Sequence, residues 1–168
     1  MRSFSYSFFY RFFFRYCNIP ATLVLLLYFV LLNTGAQRGY YYYILFIITA
    51  FLIYRVNKFY LLLYKIMPFK IIAEDENLIC TDFIFRKNKI VKIKYEDIGK
   101  LEGGIFEKKL NWLMKIHDRR NNLFIGFFQQ LKGSKTLETI ILNKITGKVY
   151  NSVSCKMGLT ENPGRFQN

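Results

Sequence analysis

From Tyr16 to Gln37 the chain carries no charge, and its centre, "ATLVLLLYFVLL", is almost wholly apolar. A spanning helix needs roughly 20 apolar residues, because each rises about 1.5 Å through a hydrocarbon core about 30 Å thick. Residues 12–33 meet that length, with Arg15 at the edge able to snorkel toward headgroups. A second run, residues 39–56, follows after a connection short enough to predict an antiparallel hairpin. Both runs are apolar on all faces, which argues against a soluble helical pair. A cleaved signal peptide is the competing reading, since Thr34-Gly35-Ala36 offers small residues after an apolar stretch. The long, phenylalanine-rich region before it is unlike a short polar leader.

After Pro68 the long runs give way to short ones bounded by turn signals. Phe69–Ala73, Leu78–Phe85 and Ile90–Tyr95 read as strands, the last alternating apolar residues with lysine. "IGKLE", "LNWLMKIHD", "LFIGFF" and "TLETIIL" continue the series to seven. The expected division is a membrane hairpin over 1–67, a β domain over 68–145 and a poorly ordered tail over 146–168. Alternation places Ile93, Tyr95, Ile98, Trp112, Met114, Ile116, Ile125 and Phe127 in the core. The aromatic N-terminus is expected to lie along the inner membrane surface.

Two spans followed by such a strand series resemble bacterial pleckstrin-homology-like (PH-like) domains carrying an N-terminal helical hairpin. The local signature is "IKYEDIGKLE", in which Tyr95, Asp97 and Ile98 match a strand end followed by an acid-isoleucine pair. The resemblance implies a split barrel of about seven strands closed by a C-terminal helix. Pro163-Gly164 interrupts the place where that helix should grow, so the helix is expected to be missing or replaced, leaving an exposed sheet edge or an open barrel mouth.

Charge orients the hairpin. Residues 1–70 hold eight basic residues and no acid, whereas 71–168 hold 17 basic residues and all 11 acids. Arg2, Arg11 and Arg15 flank the first run, and Arg55, Lys58, Lys65 and Lys70 follow the second, against Arg38 alone in the turn. The positive-inside bias puts both termini in the cytoplasm, in what the resemblance makes a bacterial inner membrane. Tyr40, Tyr41, Tyr42 and Tyr43 then form an aromatic belt at the outer interface. Strand parity sorts the remaining charges. Glu74, Asp75, Glu76, Glu96, Asp97 and Asp118 fall at turns away from Pro68. Arg86, Lys87, Lys89, Lys108, Lys109, Lys132 and Lys135 fall at turns near it, forming a basic end that faces anionic lipid.

Candidate chemistry is sparse. Cys17, Cys80 and Cys155 are odd in number and show no CxxC spacing, so neither disulfides nor zinc are expected. His117 is the single histidine and heads a hairpin turn, where a solvated role suits it better than pairing with Cys80. No catalytic residue, cofactor or metal is expected. The leading expectation is a non-enzymatic, membrane-anchored interaction or scaffold module. Its partners would be the bilayer, anionic headgroups, and a second copy or another protein at an exposed sheet edge. A small channel, effector or immunity-type protein acting through its spans is the alternative. Nucleic acid ranks last, because tethering restricts its targets.

Overall fold

The computed structural model describes residues 1–35, 39–85, 88–107 and 113–157. They form two compact units: Phe8–Lys65, and Met1–Ser7 together with the chain from Ile66 onward.

The first unit is helical. α1 (Phe8–Tyr16) and α2 (Asn18–Gly35) make one nearly continuous rod, and α3 (Tyr40–Ile66) makes a second. Pro20 explains the break at Cys17: it has no amide to donate back to the Tyr16 carbonyl four residues earlier. Helical bonds from Cys17 to Phe13 and from Ala21 to Cys17 carry the rod past it. The two rods, Phe8–Thr34 and Tyr40–Ile66, are each 27 residues long and apolar enough to cross a membrane. The second outruns the expected 39–56 by ten residues. Arg55, Lys58 and Lys65 are good helix formers that do not stop it. It ends where Pro68 disfavours helical backbone at Met67. Between the rods, the rings of Phe29 and Phe46 stack at 4.2 Å.

The second unit holds seven strands in two antiparallel sheets that are not closed into a barrel. One has the order β1 (Arg2–Ser5), β2 (Pro68–Ala73), β3 (Asn77–Phe83), β4 (Val91–Lys94). The other has the order β5 (Ile98–Glu102), β6 (Met114–Asp118), β7 (Leu123–Phe127). β2 to β7 correspond to the first six strands expected from the sequence. β3 ends at Phe83, short of the expected Phe85, one residue after Asp82, which adopts a left-handed φ of 56°.

The two ends of the chain differ from expectation. The N-terminus, expected as an aromatic segment at a membrane surface, begins instead with a strand. Its first residues form β1, in register with β2 from Arg2 opposite Ala73 to Ser5 opposite Lys70. "TLETIIL" is not a strand but most of α4 (Ser134–Lys144). Its apolar residues are spaced for a helix face: Leu137, Ile141 and Ile145 follow at intervals of four and are buried. Gly133, at a φ of +76°, turns the chain into it and packs against the Phe4 ring. A C-terminal helix is present after all. α5 (Gly147–Met157) buries Val149 and Val153 and packs on β5 and on the 3₁₀ turn Gly104–Glu107. Its last turn ends before Pro163-Gly164, so that pair cannot break it.

The core follows the alternation read from sequence. Ile93, Tyr95, Ile98, Met114, Ile116, Ile125 and Phe127 are all buried, while Trp112 lies outside the described residues. β1 adds Phe4, and the residue after it adds Tyr6.

Candidate membrane-facing end and polar sites

Within the β unit, register defines two ends. At the end remote from Pro68, three turns are bonded together. The Tyr95 amide donates to the Glu76 carbonyl at 3.2 Å, and its hydroxyl donates to the Glu74 carbonyl at 3.3 Å. The Arg119 amide donates to the Asp97 carbonyl at 2.9 Å. Asp118 is fully buried, and its carboxylate accepts from the Arg120 amide at 2.9 Å and the Asn121 side chain at 2.7 Å. Asn122, at a φ of 48°, closes that turn. Lys144, in the last turn of α4, reaches the carbonyls of Glu74 (3.1 Å) and Asp75 (2.8 Å) and lies 5.2 Å from the Tyr95 ring. Burial, reinforced by the acids around it, pushes the Tyr95 hydroxyl up to about 12.

At the other end, Pro68 pairs with Phe83 and Lys70 with Thr81. The Lys89 ammonium sits 4.9 Å over the Phe83 ring. The Lys132 amide donates to the Ser5 carbonyl, and Ser5 in turn faces Lys70. Lys89, Lys132 and the exposed Lys70 thus share the Pro68 end. Lys135 goes elsewhere. It lines a cleft of about 540 Å³ beside Arg2, Ala73, Glu74, Thr139 and Lys144. Arg86, Lys87, Lys108 and Lys109 lie outside the described residues. Lys70 belongs to this end and was missing from the expected set. The pairing of β2 with β3 could have supplied it.

The tyrosine run opens α3. Tyr40, Tyr41 and Tyr43 are exposed, Tyr42 is partly covered, and the Tyr40 and Tyr41 rings lie 4.0 Å apart. Near the opposite end of the helical unit is a polar cluster that the sequence reading passed over. Asn18 donates to Asn57 at 3.3 Å, Thr22 donates to Asn18 at 3.2 Å, and Asn57 donates to Thr22 at 3.4 Å. Tyr64 adds a bond from its hydroxyl to the Arg15 carbonyl at 3.3 Å, beside the proline break. Hydrogen bonds of this kind hold apolar helices together where the hydrophobic effect cannot. Asn18 lies at the start of α2 and Asn57 between Arg55 and Lys58 on α3.

The titratable groups weighed for chemistry are spread apart. Cys80 is fully buried in β3, and burial pushes its thiol up to about 12. His117 lies on β6, in the other sheet, where it stacks on Phe124 at 4.6 Å and hydrogen-bonds Asn122 at 3.1 Å. Among the described residues no three His, Cys, Asp or Glu side chains are grouped to hold a metal. Set against models of protein families, curated proteins and solved structures, the chain matches none.

Proposed function

We propose that this protein is a membrane-anchored, PH-like interaction module that acts by binding rather than catalysis, with its basic end toward the anionic inner leaflet of a bacterial membrane. One observation carries the reading: β1 and β2 are hydrogen-bonded neighbours, yet all of residues 8–65 lie between them in sequence. Spans that start and finish in one sheet start and finish on one side of a bilayer. The basic flanks support the cytoplasm as that side. Sheets of four and three strands followed by helices support the PH-like assignment. Lys70, Lys89 and Lys132 at the strand ends beside Pro68 support the orientation, each basic residue near an anionic surface contributing about 1 kcal/mol.

A photoreactive side chain tests this in full-length protein reconstituted in anionic vesicles. Placed at Lys132, it should form lipid adducts that diminish as salt rises. Placed at Arg120, in the turn remote from Pro68, it should not. Equal adducts at both positions would contradict the orientation.

The polar cluster of Asn18, Thr22 and Asn57 favours a second reading, in which the spans themselves act as a channel or effector. Its groups bond one another, which suits a lock between helices better than a site awaiting a solute. Crosslinks between copies confined to the spans would support this second reading instead.

A further inference from the structure

Large apolar side chains in the β unit are mostly inside. Two exceptions flank one loop: Phe85 and Ile90 are 68% and 69% exposed. They lie in the β3–β4 connection, Phe85 two residues after β3 and Ile90 just before β4, and the Lys89 ammonium sits over the Phe83 ring. We infer that Phe85 and Ile90 form a membrane-docking finger: they enter the acyl boundary of the bilayer that holds the hairpin, and Lys89 engages anionic headgroups.

The location carries this. Phe83 pairs with Pro68, and Pro68 stands two residues beyond the end of α3 at Ile66. Two residues of chain reach about 7 Å at most. The chain therefore passes from the second span almost directly into the strand whose partner, β3, leads on to Phe85. The chemistry fits the same surface. Exposed apolar side chains next to a cation are the composition that partitions at a headgroup boundary, with burial and charge acting together. Cytosol would give Phe85 and Ile90 no such return. Phe124, an exposed aromatic on β7, differs on both counts. It sits near the turn remote from Pro68 and stacks on His117. The inference rests on the membrane reading of the two helical rods, and the test below separates the two.

A polarity-sensitive fluorophore is attached through single cysteines, with Cys17, Cys80 and Cys155 replaced, in full-length protein in anionic vesicles. The labelled positions are Ile90, Phe124 and Leu27, the last exposed on α2. The inference expects blue-shifted emission at Ile90. It also expects quenching there by a lipid-borne quencher several-fold stronger than at Phe124, reduced in zwitterionic lipid and in Lys89→Glu. Strong quenching at Leu27 with none at Ile90 would overturn the docking finger and leave the hairpin standing. No quenching at Leu27 would overturn the membrane reading and the finger with it. A blue shift at Ile90 without lipid quenching would mean that protein covers the loop. Equal quenching at Ile90 and Phe124 would mean the unit lies on the membrane without a preferred face. Either of these two results would also overturn the finger.

Discussion

The backbone amide of Phe128 donates a 2.7 Å hydrogen bond to the hydroxyl of Tyr6, a residue 122 positions earlier in the chain. Tyr6 is 2% exposed and packs edge-on to Phe69 at 6.1 Å. Burial holds its hydroxyl well above the ordinary tyrosine range, so it stays protonated at any ordinary pH. The N-terminus is therefore a piece of the core. Tyr6→Phe should destabilise the β unit by about 1–3 kcal/mol, since it removes the acceptor from a buried amide. Tyr6→Ala should cost more, about 3–5 kcal/mol, by adding a cavity. Thermal unfolding of the detergent-solubilised protein measures both. A cost below about 0.5 kcal/mol for Tyr6→Ala would be the value of a surface residue.

Because β1 precedes the hairpin and β2 follows it, a fragment that begins at Phe69 should behave poorly. It loses Phe4 and Tyr6 from the core and exposes the bonding edge of β2. Replacing residues 8–65 by a short glycine turn between Ser7 and Ile66 should restore a soluble, cooperatively folding domain. Dispersed amide NMR signals in the joined protein, against aggregation of the Phe69 fragment, are the expected contrast. Equal solubility and dispersion in the two would show that β1 is dispensable.

Glu138 is a buried carboxylate on α4, with an oxygen that lacks a hydrogen-bond partner. Burial raises its pKa, only partly offset by Lys135. A raised acid favours folding while protonated, so its penalty is absent below about pH 4 and grows as pH rises through the folded value. Glu138→Gln should raise the unfolding temperature at pH 7 and change it little at pH 3.5. Melting curves across that range check the sign. A gain at pH 3.5 as large as that at pH 7 would show that charge at Glu138 is not the cause.

Six of the seven strands and most of the core were legible because alternation over several residues is a local signal. The strand count agrees with expectation, but the membership differs. "TLETIIL" is rich in Thr and Ile, whose local preference is for strands, yet the spacing of Leu137, Ile141 and Ile145 buries one helix face. Tertiary packing overrode that propensity. β1 was hidden for a different reason. Its partner lies some 66 residues away beyond two spans, and the phenylalanines that follow drew the segment toward the membrane. The signal was nonetheless there, since "SFSYS" alternates polar and apolar with period two. The bonds among Asn18, Thr22 and Asn57 depend on how two helices face each other, which no single run reveals.

The hairpin is an insertion between two neighbouring strands, and one cross-link tests that arrangement. Tyr6 donates its amide to Phe69, whereas Ser5 turns its carbonyl out to Lys132. Ser5–Lys70 and Ser3–Ile72 are therefore non-hydrogen-bonded pairs, whose Cα atoms lie about 4.5 Å apart, within disulfide range. Full-length protein carrying Ser3→Cys and Ile72→Cys, with the native cysteines replaced, is oxidised in lipid and read by gel mobility before and after reduction. Rapid, near-complete intramolecular closure is expected. The control pair Ser3→Cys with Ile79→Cys, one strand further across the sheet, should remain open. If Ser3 fails to close onto Ile72, or closes equally well onto Ile79, β1 is not the neighbour of β2 and the account is wrong.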